Sequence, residues 1–185
     1  WQVANARQVA GAEAHIGEAK PNVVAEEDPE SGATRISVFT PDREGLFYRI
    51  CSGLAAAGAN IIDARIHTTR DRMALDNLLV LDAQGQAYSD RRLRSRLVRS
   101  VEGALTSAEA PPLPAPERGR PRSAAFRVAP SVAVADKASS RTTVVEVNAL
   151  DRPALLAALA AAIHAEGHQI HSAHIATYGE RAVDV

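Results

Sequence analysis

Sliding this chain by 109 residues lays NALDRPALLAALAAAIHAEGHQIHSAHIATY over FTPDREGLFYRICSGLAAAGANIIDARIHTT. Thr143, Val147, Asp151, Arg152, Leu155, Gly167, Ile170, Ala173, Ile175 and Thr177 then fall on identical residues at Thr34, Val38, Asp42, Arg43, Leu46, Gly58, Ile61, Ala64, Ile66 and Thr68. A polar Asp-Arg pair recurs along with the apolar positions, so composition does not explain the match. Each copy is one supersecondary unit, used twice.

The first copy shows what that unit is. Ile36 and Val38 alternate with Arg35 and Ser37, as a strand with one buried face requires, and Pro41 stops it. Leu46, Phe47, Ile50, Cys51 and Leu54 share one helical face, and Gly58 sits where a left-handed C-terminal cap belongs. Ile62, Ala64 and Ile66 then mark one face of a second strand, with Asp63 and Arg65 on the other. A tight turn at Arg70 to Arg72 leads into a third strand, MALDNLLVLD, whose two faces are about equally apolar, so the pattern does not orient it. Leu93, Leu97, Val101 and Leu105 step by four through a second amphipathic helix. FRVAPSVAVAD supplies one further strand, and Val23-Val24 an optional edge strand.

Strand, helix, strand, strand, helix, strand is the βαββαβ order of a ferredoxin-like unit, an α+β fold with an antiparallel sheet and both helices on one face. The expected organisation is a connector over 1–33, a first domain over 34–109, a Pro-rich linker over 110–124, a strand and connector over 125–140, and a second, incomplete domain over 141–185. Residues 1–19, rich in Ala, read as the end of an upstream helix. Trp1 in first position and a second copy cut short in its third strand lead us to expect an excised piece of a longer chain.

With 21 basic and 22 acidic residues there is no global field to steer nucleic acid or an anionic membrane, so neither is expected as a partner. The single cysteine, Cys51, excludes an internal disulfide framework, which fits a reducing, cytoplasmic setting. Cys51 lies on the apolar helix face and reads as packing. His164, His168, His171 and His174 crowd into eleven residues. The first sits on a helix, the second in the turn after it, and the last two on opposite faces of a strand, so no metal site is expected. His171 reads as a hydrogen-bonded core residue. The run Arg91, Arg92, Arg94, Arg96 and Arg99 reads as a solvated helix face, because the strands lack the paired aromatics that stack RNA bases.

The repeated loop, TPDREG in the first copy, carries the chemistry. It lacks the G-x-x-x-x-G-K-[ST] pattern that wraps nucleotide phosphates, and no catalytic carboxylate pair or Ser-His-Asp arrangement accompanies it. Asp42 is placed to cap the following helix. Its recurrence with Arg43 favours a ligand seat at a helix start, where free N–H groups and the positive dipole end attract a carboxylate.

TPDREGLFYRI, GANIIDARIHTTRDRMALDNLLV, VVEVNALDRPALLAAL, FRVAPSV and HSAHIATYGERAVDV together resemble the tandem ACT domains at the C-terminus of bifunctional PII uridylyltransferase and uridylyl-removing enzymes, from about Thr34 to the end. The resemblance implies a glutamine-sensing regulatory region without catalytic residues or a cofactor of its own. Upstream domains would use Mg and UTP on the PII signalling protein. It implies ligand contacts at Asp42, Arg43, Gly45 and Leu46 with Asn60 and Ile61, and at Asp151, Arg152 and Leu155 with Gln169 and Ile170. Ala154 stands where the resemblance expects glycine, which favours the first copy as the binding one. Two alternatives stand beside this: a ligand-free homodimerisation module, and the ACT region of another amino-acid-responsive enzyme such as a stringent-response nucleotide synthetase.

Overall fold

The structure, a computed structural model, describes residues 20–113, 129–135, 142–150, 152–171, 173, 175–178 and 181–184. The expected upstream helix and most of the Pro-rich segment lie outside these residues. The first unit runs β1 (Asn22–Asp28), β2 (Ala33–Pro41), α1 (Leu46–Ala56), β3 (Asn60–Arg65), β4 (Met73–Leu81), α2 (Arg91–Thr106). The second runs β5 (Ser131–Ala135), β6 (Val144–Leu150), α3 (Leu155–Ala165), β7 (Ile175–Tyr178), β8 (Arg181–Asp184).

Each unit is α+β with a four-stranded antiparallel sheet, in the orders β1-β2-β4-β3 and β5-β6-β8-β7. The two orders match position for position, and β5 begins 109 residues after β1. The repeat therefore includes the strand upstream of the Asp-Arg loop. This refines the expected connectivity: the edge beside β2, where the strand after α2 would sit, is taken by β1, and the strand after the Pro-rich segment pairs with β6. A short turn explains the choice. Gly32, at φ 66°, donates its N–H to Asp28 O at 3.0 Å, and this closes the β1–β2 hairpin locally.

Both helices of the first unit cover one sheet face. Val23, Ile36, Val38, Leu78 and Val80 from the strands mesh with Ile50, Leu54, Leu97 and Val101. Fully burying each such side chain contributes roughly 1.5–3 kcal/mol. α1 and α2 cross closely because Gly53 has no side chain: a Cβ there would lie 3.0 Å from Ser100 O, Val101 Cα and Ala104 Cβ. The Ser100 hydroxyl donates to Gly53 O at 2.7 Å across that crossing. Cys51 is buried in this core, as the sequence implies. Leu93 instead is exposed, so the apolar stripe of α2 starts at Leu97. A bulge between Ile61 and Asp63 shifts parity in β3, so Ile61, rather than Ile62, packs on the core with Ala64 and Ile66.

The ladder also orients β4. Ala74, Asp76, Leu78 and Val80 point toward the helices, each no more than 1% exposed. The arginine run of α2 lies at the surface, where Arg94 donates to Glu27 at 2.6 Å and the Asp90 side chain caps the helix by accepting from Arg92 N at 2.6 Å.

The second unit docks on the first through α3, which packs against α1 with Ala157 and Ala160 buried in the shared core. The edge strands β3 and β7 approach one another on the same side. Val132 and Val134 of β5, the counterparts of Val23 and Ala25, are 64% and 61% exposed, whereas Val23 is 7% exposed beneath α2.

Candidate functional site

The β2–α1 loop is held at both ends. Asp42 donates its N–H to Arg72 O at 2.7 Å, and the N–H of Leu46 returns to Arg43 O at 3.2 Å. The residue that caps α1 is Gly45, in a left-handed conformation at φ 69°, ψ 11°, with no side-chain cap bond. Asp42 therefore does not cap the helix, contrary to expectation. The turn from Arg43 to Leu46 separates it from the first-turn amides that a capping side chain reaches.

Gly45 is fixed twice over. Positive φ disfavours a side chain there, and a Cβ would lie 2.8 Å from His164 Cε1. His164, in the last turn of α3, stacks on Tyr48 with ring centroids 5.4 Å apart and an interplanar angle of 27°. Its Nδ1 is buried without a hydrogen-bond partner among the described residues. In the second unit Ala154 holds the equivalent left-handed position at φ 60° and bears the strain directly.

Between the units lies a cleft open to solvent. Asp42, Arg43, Gly45 and Leu46 form one wall, and His164, His168, Gln169, Ile170 and His171 form the other. Tyr48, Ile66, Thr68, Ala74 and Asp76 line it as well. The structure thus gathers six of the residues named from the sequence: four from the first loop, and Gln169 and Ile170 from the second copy. Asn60, Ile61, Arg152 and Leu155 do not line this cleft, and Asp151 lies outside the described residues. His171 is exposed at the cleft rather than buried in a core, because residues 168–171 are not in a strand and β7 begins only at Ile175. His174 lies outside the described residues. Among the described residues no group of three or more His, Cys, Asp or Glu is placed to hold a metal ion.

Arg43 is committed elsewhere: its guanidinium donates to Leu105 O. Arg49 adds bonds to Ala104 O at 3.1 Å, Ser107 O at 2.8 Å and Ala108 O at 2.8 Å. Together they satisfy the carbonyl end of α2 with positive charge. Burial, and then the adjacent Arg49 charge, draw the Arg43 pKa down.

Asp76 was not anticipated as a site residue. It sits on the buried face of β4, paired across the ladder with Val38, and its carboxyl is pushed up to about 7, first by burial and further by the Asp42 charge. The nearby His67 amide pulls the other way without closing a hydrogen bond of good geometry. An acid inside ALDNLLV was the available signal, hidden because the strand could not be oriented.

Three relatives place these residues in context. The chain is 50% identical over 158 residues to the bifunctional uridylyltransferase/uridylyl-removing enzyme of Novosphingobium aromaticivorans, covering 84% of this chain and 17% of that protein. It is 48% identical over 173 residues to the enzyme of the same name from Zymomonas mobilis (89% of this chain, 18% of that protein). Against that of Erythrobacter litoralis it is 44% identical over 165 residues (88% and 18%). The chain thus spans less than a fifth of the length of these relatives. No protein-family model and no solved structure matches it.

Proposed function

We propose, from the premise that this chain is a relative of one segment of the bifunctional uridylyltransferase/uridylyl-removing enzymes, that it is an ACT-type regulatory region that senses glutamine. The observation that carries the reading is the cleft itself. A loop at a helix start from one unit faces the segment after α3 of the other, so one small molecule would touch both units at once. Free N–H groups at the start of α1 suit an α-carboxylate. Asp42 and Gln169, the counterpart of Asn60, suit the amino and amide ends.

A ligand that bridges both walls favours whichever arrangement brings them together, and so shifts a two-state equilibrium by its differential affinity. In the longer protein this shift would favour uridylyl removal from the PII signalling protein over UTP- and Mg-dependent transfer when glutamine is plentiful. Titration calorimetry on the 185-residue chain tests the sensing step. Saturable heat with L-glutamine and little with L-glutamate is expected; equal heats, or none with glutamine, count against it.

A specific observation favours pairing between chains as a second reading. Val132 and Val134 form an exposed apolar strip on β5, itself an edge strand. Light scattering that rises to a dimer mass with concentration is expected on this reading, and a monomer throughout excludes it.

A further inference from the structure

We infer that Asp76, a buried acid of β4 that lines the cleft on the side of the first unit, is the seat of the ligand's ammonium group. The inference rests on the small-molecule reading above and adds a recognition element to it.

The two buried acids of the first sheet make the case by contrast. Asp28 is matched: the Ser31 hydroxyl donates to it at 2.8 Å and Arg35 lies 2.7 Å from it, and these, the Ser31 bond first, hold its carboxyl below the usual range. Asp76 is 1% exposed, yet neither of its oxygens has a hydrogen-bond partner among the described residues. A carboxylate buried without partners is strongly disfavoured unless something neutralises it. Packing does not call for it, since Ala74, Leu78 and Val80 occupy the same face. Arg43, the cation on the same cleft, is turned to Leu105 O.

Asp42 and Asp76 give the cleft two acids, the second of which ionises only near pH 7, and among the described residues no third ligand stands with them to hold a metal ion. A primary ammonium fits: it carries one charge and three donors, enough for both Asp76 oxygens. In the absence of ligand Asp76 is largely protonated below pH 7, and an arriving ammonium would displace that proton to solvent. The same two acids discriminate against a ligand with an extra carboxylate, which gives a physical reason to prefer glutamine over glutamate. The acid recurs in the second sheet: Val147, the counterpart of Val38, pairs across the ladder with Asp184 as Val38 pairs with Asp76, the β7–β8 turn being one residue shorter.

The test compares wild type and Asp76→Asn at pH 8 by titration calorimetry, with L-glutamine and with 4-carbamoylbutanoate, the same molecule without its ammonium. Wild type should prefer L-glutamine, and the variant should bind it at least ~10-fold more weakly while binding the des-amino compound unchanged. Unaltered glutamine affinity in the variant overturns the inference. A second measurement needs no variant: at pH 7, binding heats taken in buffers of different ionisation enthalpy should show about half a proton released, and no release overturns the inference. If wild type gives no heat with glutamine, the glutamine reading fails, and the other α-amino acids and methylammonium are titrated. A binder lost in Asp76→Asn upholds the ammonium seat; no ammonium-bearing binder at all overturns it.

Discussion

Asp76 makes the stability of the free protein depend on pH in an unusual direction. Its carboxyl is pushed up to about 7 from 3.8. Between those values the native state holds a proton that the unfolded state has released, so stability falls as pH rises through that window and levels off above it. Three units at ~1.4 kcal/mol each give a penalty on the order of 4 kcal/mol when the group is ionised, of which about 3 kcal/mol accrues between pH 5 and pH 8. Asp76→Asn removes the ionisation but leaves a buried amide without partners, a cost of ~1–3 kcal/mol that does not vary with pH. Asp42, Arg43, His164, His168 and His171 line the same cleft in both proteins, so the difference between wild type and variant isolates Asp76. Urea unfolding followed by far-UV circular dichroism at pH 5 and pH 8 reads it directly. With a slope of ~2 kcal/mol per molar urea, the wild-type midpoint should fall by about 1.5 M more than that of the variant across this range. Parallel midpoints would refute the reasoning.

Gly45→Ala should cost ~1–2 kcal/mol, chiefly from positive φ, with the His164 ring shifting to admit a Cβ; adding His164→Ala should recover only the steric part, as a double-mutant cycle in urea would measure. Ala154→Gly should raise stability by up to ~1 kcal/mol through relief of its φ of 60°, and a lower urea midpoint would contradict that. Arg49→Met should destabilise by ~1–3 kcal/mol through loss of its three carbonyl bonds at the end of α2, read by thermal melting. Val23→Ala should cost ~1–2 kcal/mol while Val132→Ala, at the matching position, changes stability by less than ~0.5 kcal/mol.

The sequence made the fold class legible because its signals are local and repeated. The face Leu46, Phe47, Ile50, Cys51, Leu54 and the cap at Gly58, observed at φ 82°, needed only helical spacing to be found. What it hid were choices between partners at similar cost. Val23-Val24 and FRVAPSVAVAD both read as strands, and only the short turn ending at Gly32 decides which one pairs with β2. The bulge at Ile61 to Asp63 broke the alternation that assigned Ile62 to the core. At the cleft, recurrence of the loop pointed to Asp42 and Arg43, but not to the turning of Arg43 toward Leu105 O, a contact 62 residues away along the chain. Asp76 escaped because an acid in an apolar strand is unremarkable until the strand is known to face the core.

On the proposed reading one cleft, between the β2–α1 loop of the first unit and the segment after α3 of the second, takes an amino acid. Backbone amide spectra of the 15N-labelled chain titrated with L-glutamine test it most directly. Saturable shifts are expected at Gly45, Leu46, Gln169 and Ile170, and in a 13C-labelled sample the Asp76 carboxyl carbon should move toward its ionised position at pH 7. Shifts confined to Arg152 and Leu155 with Asn60 and Ile61, or none at all, would contradict it.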